Sequence, residues 1–270
     1  MKRLPLFLFA LTIVLNAAAQ QTPERTEARD VALLTSGPTR PDVIDTDKGP
    51  LQIQPVHHAA MVLTWNGKAI YVDPYGGAAN YKTNKPADVV LITDIHPDHL
   101  DSATLASINT DKATFIVPKA VADKLPAAVK ARVKVINNGE NLELDGIKYT
   151  AIPMYNLPET PDAMHTKGRG NGYVLEMGGK RIYIAGDTED IKEMRELKNI
   201  DIAFVPMNLP YTMDVNQAAS AVLEFKPKIV YPYHYRGKDG LSDVESFKKQ
   251  VNDSNKSIDV RLRDWYTKSE

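Results

Sequence analysis

Asp88-Val-Val-Leu-Ile-Thr-Asp-Ile-His-Pro-Asp-His-Leu-Asp101 decides the reading of this chain. Val89, Val90, Leu91 and Ile92 form an unbroken apolar run, as expected of a strand covered on both faces. The stretch then turns polar: Asp94, His96, Asp98 and His99 follow around Pro97, which stops a strand and suits a loop. Residues 100–108 read as a short helix, with Asp101 or Ser102 as its N-cap. Two imidazoles and up to three carboxylates thus gather at the carboxyl end of a buried strand. Carboxylates that close repel one another unless a cation lies between them.

Taken singly, each of these residues suits an ordinary loop or cap role. Three further stretches repeat the pattern of an apolar strand ending in a metal-capable group. Residues 181–187 end in Asp187 after Gly186, and residues 228–234 end in His234. His165 lies in a long Pro- and Gly-containing loop, 154–171, just before a strand at 173–177. A loop of that length inside a compact domain is usually functional or disordered. Ligands of α/β folds collect beyond the carboxyl ends of strands, which brings these residues toward one crevice. Four of the six histidines fall in these places. The competing reading of Asp187 is a helix cap, since Thr188-Glu189-Asp190 suits the start of a helix over 188–197.

Composition narrows the chemistry. The chain has no cysteine, so any metal must be held by His, Asp or Glu, and a thiolate nucleophile is excluded. Net charge is −1, with Lys and Arg interspersed among Asp and Glu, so nothing points to nucleic acid or to an anionic membrane surface. Lys2 and Arg3 precede an apolar run over 4–15 and Ala17-Ala18-Ala19. This is the pattern of a cleaved signal peptide over 1–19, too short to serve comfortably as a membrane anchor. It implies a periplasmic or secreted protein with no stable anchor after cleavage. Residues 20–50 are polar and aperiodic and read as a partly disordered N-terminal arm. Residues 51–270 then form a single domain.

Within that domain, strands are expected at 51–56, 60–65, 68–72, 88–93, 113–117, 132–136, 141–144, 147–153, 173–177, 181–185, 202–205, 228–231 and 258–262. Asn66-Gly67, Asp145-Gly146 and Gly178-Gly179 mark two-residue hairpins. Helices are expected at 118–125, 188–197, 215–225 and 243–251, besides the one after the motif. Hairpins come first, strand–helix alternation follows, and the order loosely repeats from about residue 140. Two mixed sheets packed together with helices outside, a four-layer αββα sandwich of the α/β class, fit this order.

The combination of Thr93-Asp-Ile-His-Pro-Asp-His-Leu-Asp101, His165, Gly186-Asp187-Thr188 and Pro232-Tyr-His234 resembles the metallo-β-lactamase-fold hydrolases. Within them it is similar to the branch of ascorbate-6-phosphate lactonase-like enzymes and N-acyl-phosphatidylethanolamine-hydrolysing phospholipases, over roughly residues 51–262. The resemblance implies an αββα fold with two metals between the sheets. His96 and His165 would hold the first metal, Asp98, His99 and His234 the second, and Asp187 would bridge them. Asp94 stands where that family usually has its first His, as a further ligand of the first metal. An oxygen ligand there raises the standing of manganese or iron against zinc. Asp98 would orient the attacking hydroxide besides ligating.

The expectation is therefore an exported hydrolase carrying one or two divalent ions, zinc or manganese with iron as a further option. A metal-bound hydroxide would attack an ester, lactone, amide or phosphodiester of a small-molecule substrate. The alternative is a non-catalytic metal- or ligand-binding protein on the same fold. His58 is read as a neighbour of the ligands, and Asn156, Asn208, Tyr211 and Tyr235 as rim residues for substrate.

Overall fold

The structure, a computed structural model, describes Met1 and residues 40–266. The expected signal peptide and most of the N-terminal arm lie outside the described residues. Three residues of that arm, Asp42–Ile44, form a strand, β1, paired antiparallel with β2 (Leu51–His57). Asp42 anchors it, accepting hydrogen bonds from Arg263 and from the Tyr231 hydroxyl.

The first sheet continues through β3 (Ala60–Trp65), β4 (Lys68–Val72), β5 (Val89–Leu91), β6 (Thr114–Val117) and β7 (Val133–Val135), side by side in chain order. Pairing is antiparallel from β1 to β4 and parallel from β4 to β7. The second sheet has the same plan. β8 (Asn141–Leu144), β9 (Ile147–Met154), β10 (Gly170–Met177) and β11 (Lys180–Ile184) pair antiparallel. β12 (Ile202–Pro206) and β13 (Ile229–Tyr233) then add in parallel. A small separate hairpin, β14 (Arg236–Gly237) with β15 (Gly240–Leu241), precedes β16 (Asp259–Val260), which completes the sheet beside β13. Asn66 and Gly67 at the β3–β4 turn have φ 47° and 76°, the left-handed pair that a tight two-residue hairpin needs.

Alternation along the strands divides the first sheet between two apolar layers. Leu63, Ile70, Leu91 and Ile116 face inward and pack in one cluster with Tyr149, Tyr173, Leu175 and Phe204 of the second sheet. Val62, Tyr71, Val90 and Phe115, their immediate neighbours in sequence, face outward, where Val121 and Leu125 cover them. Val121 belongs to α2 (Lys119–Lys124), which follows α1 (Ser102–Ser107) and precedes one further turn, α3 (Ala127–Lys130). Beyond the second sheet lie α4 (Lys192–Arg195), α5 (Val215–Phe225) and α6 (Val244–Ser254). Ala218, Val222, Phe247 and Val251 bury the apolar faces of α5 and α6 in the inner cluster. Among the described residues no helix is long and apolar enough to cross a membrane.

The helix expected over 188–197 is shorter: α4 starts at Lys192 with Ile191 at its N-cap position. The side chain of Asp187 is therefore not spent on capping.

Candidate metal centre

The loop after β5 carries the decisive motif. Its backbone turns tightly, with the amides of His99 and Leu100 both donating to the carbonyl of His96. Asp101 then caps α1, accepting from the amides of Ala103 and Thr104 at 2.9 and 3.1 Å. This turn throws His96, Asp98 and His99 toward the gap between the sheets. Asp187 and His234 arrive from β11 and β13 of the other sheet. At Gly186 φ is 67°, and a Cβ would lie 2.7 Å from the Met154 sulfur, so only glycine lets the chain swing Asp187 inward.

Asp98, His99, Asp187 and His234 form one group of potential ligands, and Asp94, His96 and His165 a second. Asp187 stands between the groups: Oδ2 lies 3.2 Å from Nε2 of both His99 and His165, and Oδ1 3.2 Å from Nε2 of His234. Nε2 of His234 is 3.4 Å from Asp98 Oδ2. In the other group, Asp94 Oδ2 is 2.8 Å from His96 Nδ1 and 3.9 Å from His165 Nε2. Nε2 of His99 and of His165, and Oδ1 of Asp187, are buried without a hydrogen-bond partner. Buried polar atoms are nearly always satisfied, so three orphans facing one another fit a cation at that point. The donor set, imidazole nitrogen and carboxylate oxygen, suits a divalent ion of the zinc, manganese or iron type.

In His99 and His165 the other ring nitrogen is fixed by a neighbour. His99 Nδ1 lies 2.9 Å from Asp73 Oδ2 and 3.0 Å from the Thr93 hydroxyl. Thr93 itself donates to Asp73 through both its amide and its hydroxyl, at 2.7 Å each. His165 Nδ1 meets Asn156 Oδ1 at 3.1 Å. Such partners hold the ring proton on Nδ1 and leave Nε2 free to ligate. His58 has φ 59° at the β2–β3 turn, and its Nε2 meets Asp98 Oδ2 at 3.1 Å while its Nδ1 accepts from the Tyr266 hydroxyl at 2.9 Å.

The electrostatics show how much this arrangement calls for positive charge. Burial alone would raise the Asp187 carboxyl, but its neighbours His234, His99 and His165 hold it well below the carboxylate range. Burial lowers His99, yet Asp187, Asp98 and Asp73 carry it well above its ordinary value. Burial also raises Asp98, outweighed by His99 and by the bonds from His234 and His58, so it too lies well below its range. A proton on His99 here stands in for the cation. Asp94 is opposed by burial and lowered, to about 2, by the bond from His96 and the charges of His99, His96 and Arg169. His58 is brought down to about 4, mainly by burial, and is neutral at neutral pH.

All seven ligands expected from sequence are thus brought together, while the rim residues divide. Asn156 is buried and spent on His165, accepting from its amide at 2.8 Å and donating to the Tyr211 carbonyl. Asn208 is buried, 3.4 Å from His234 Nε2 and bonded to Thr212. Tyr235 is a correction: its hydroxyl donates to the Arg263 carbonyl and its ring packs edge-on against Tyr266, so it is core and not rim. Tyr211 stays half-buried in the loop after Asn208. The sequence reading missed Asp73, Thr93, Arg169 and Tyr266. Asp73 stands at the end of β4, as Asp94 and Asp187 follow β5 and β11, and that repeated position is the signal that could have found it.

Comparison with known proteins agrees with this geometry. The β-lactamase superfamily domain matches residues 52–234. A UPF0173 metal-dependent hydrolase of Pyrococcus abyssi is 32% identical over 214 residues, 74% of this chain and 92% of the relative. A crystal structure described as a metal-dependent hydrolase, from Parabacteroides distasonis, is 40% identical with a TM-score of 0.74, covering 83% of this chain and 98% of its own. The metallo hydrolase Igni18 of Ignicoccus hospitalis is 26% identical with a TM-score of 0.67, covering 80% and 96%. A family match over residues 52–234, with a centre of this make-up between the sheets, leaves one assignment: the chain belongs to the metal-dependent hydrolases of the metallo-β-lactamase superfamily.

Proposed function

We propose that the protein is an exported hydrolase that binds two divalent ions and cleaves an ester, lactone, amide or phosphodiester bond of a small molecule. The convergence of buried, unpartnered His99 Nε2, His165 Nε2 and Asp187 Oδ1 carries this reading. Asp98, His99 and His234 would hold one ion and Asp94, His96 and His165 the other, with Asp187 between. Bound ions of this kind acidify a water molecule and polarise the scissile oxygen.

The side chains do the rest. His96 and Asp98 are the open side of the centre, 27% and 30% exposed, against 4% for Asp187. Asp98 Oδ2 is engaged by neutral His58, which leaves Oδ1 to accept a proton from water. A cavity beside His165, lined by Asn156, Glu159, Thr160, Ala163 and Lys167, supports a small polar substrate. Export rests on residues 2–19, and N-terminal sequencing of protein from its native host tests it: a terminus near Gln20 is expected, and an intact Met1 in a soluble cytoplasmic fraction refutes it.

The activity is tested by offering p-nitrophenyl esters, a lactone series, anilides and bis-p-nitrophenyl phosphate to protein loaded with zinc or manganese. Turnover of at least one class, abolished by chelator and by Asp98→Asn, is expected. Full metal loading without turnover of any class would instead establish a non-catalytic metal-binding protein.

A further inference from the structure

The group at Asp94 differs from the group at Asp98 in one respect that chemistry cannot ignore. Arg169 grips Asp94 with a two-point fork: Nε lies 3.2 Å from Oδ1 and Nη2 3.0 Å from Oδ2. Asp94 is fully buried, and the Arg169 side chain is 20% exposed. A guanidinium does not lose its proton in a protein, so this is a permanent positive charge against the ligand set.

The fold builds the pair in. The amide of Asn171 donates to the carbonyl of Thr93 at 2.9 Å, which sets the start of β10 against the residue before Asp94. A Cβ at Gly170 would lie 2.8 Å from that same carbonyl, so the backbones meet without a side chain between them. The backbone that carries Arg169 is therefore fixed beside Asp94, within reach of its carboxylate.

Each centre can now be counted by charge. Asp187 faces both groups, and beyond it the Asp98 group has Asp98 and a further carboxylate, Asp73, directly behind His99. The Asp94 group has one carboxylate, and Arg169 cancels its charge. Oδ2, the oxygen that faces His96 and His165, is also the oxygen that Nη2 holds, so an entering ion must share it with a cation. Oxygen donors hold divalent ions largely by charge, and a neighbouring positive charge acts against them.

We infer that Arg169 makes the Asp94–His96–His165 group the weaker of two unequal metal sites, so that the protein fills the Asp98–His99–Asp187–His234 group first and becomes dinuclear only at higher free metal. The inference rests on the two-ion reading above and adds an order of filling and the residue that sets it. An imidazole at position 94 would not need a counter-charge; the aspartate–arginine pair is a neutral substitute that also tunes affinity.

The test is a titration of metal-free full-length protein with Zn²⁺ against a chromophoric chelator, with metal content measured after dialysis at fixed free zinc. Two steps at least about tenfold apart are expected in the unaltered protein, the scale on which outer partners change metal affinity. Arg169→Gln should tighten the weaker step by about tenfold and leave the stronger step in place. Arg169→Lys, which keeps the charge and loses the fork, should keep the two steps apart. Asp94→Asn should retain one ion per chain. Equal filling in the unaltered protein, a weaker step that Arg169→Gln leaves unchanged or loosens, or loss of both ions in Asp94→Asn each overturns the inference. Should Arg169→Gln fail to fold by circular dichroism, Arg169→Met, which removes the charge at similar length, takes its place with the same expectation and the same overturning result. Because the readout is metal content, absence of hydrolysis would defeat the proposed activity and leave this result standing.

Discussion

Asp73 Oδ2 lies 2.9 Å from His99 Nδ1, and neither side chain is exposed at all. Asp73 thus acts through His99, turning its Nε2 toward Asp187 and raising its basicity as a ligand. Asp73→Asn should weaken metal binding at the Asp98 group by about 10–100-fold with the fold intact. Asp73→Ala should also cost at least about 2 kcal/mol of stability, because the Thr93 amide and hydroxyl lose their acceptor. Zinc titration and denaturant melts of both variants measure the two effects, and an unchanged affinity in Asp73→Asn would remove Asp73 from the centre.

His99→Ala or His234→Ala should lower bound metal by at least one ion per chain and abolish hydrolysis while the circular dichroism spectrum stays native. The motivation is that both rings face Asp187 at 3.2 Å from opposite oxygens. Full activity in either variant would sink the assignment of the Asp98 group.

Metal uptake should release protons. Without metal, burial lowers His99 and His234, but Asp187 and Asp98 raise both above the ordinary histidine value, with Asp73 adding to His99. A raised histidine stabilises the metal-free fold fully below its unfolded value, about 6.5, and loses that contribution as pH rises through its folded value. The metal-free protein should therefore melt at progressively lower temperature as pH rises above neutrality. The metal-loaded protein, whose imidazoles are already deprotonated, should show a flatter profile. Calorimetric titration of zinc in two buffers of different ionisation enthalpy should return about one or more protons per ion, and zero would refute the scheme.

Asp94→His alone places an imidazole beside an unpartnered Arg169 guanidinium, so it should gain little zinc affinity. Asp94→His with Arg169→Gln should bind zinc more tightly at that site and move the pH–rate profile to lower pH. A single variant that already does both would show that Arg169 plays no part.

Much of this was legible from the chain. Val89–Leu91 announced a strand buried on both faces, and Asn66-Gly67, Asp145-Gly146 and Gly178-Gly179 each became a hairpin turn as their left-handed preference requires. The ligands were legible because each ends an apolar strand, a purely local pattern. What stayed hidden is what acts across the fold. Arg169 is one charged loop residue among many until β10 starts beside Thr93. Tyr266 gives no local sign of bonding a ring at the opposite end of the chain. Tyr235 looked like a rim residue because it follows His234, but its neighbours come from residues 263–266. The helix over 188–197 was overextended, because the turn after Asp187 is held to Tyr155 by the Glu189 amide and the Thr188 hydroxyl, bonds that no local pattern encodes.

The bond from Tyr266 to His58 spans 208 positions of sequence, and the His58 amide also donates to the carbonyl of Trp265. During synthesis the motif loop and both sheets can be largely assembled while His58 still lacks its clasp. Residues 265 and 266 leave the ribosome after every strand of both sheets. A nascent or still-unfolding chain would therefore carry most of its ligands before Asp98 is steadied, and its competence would arrive as one of the last events of maturation.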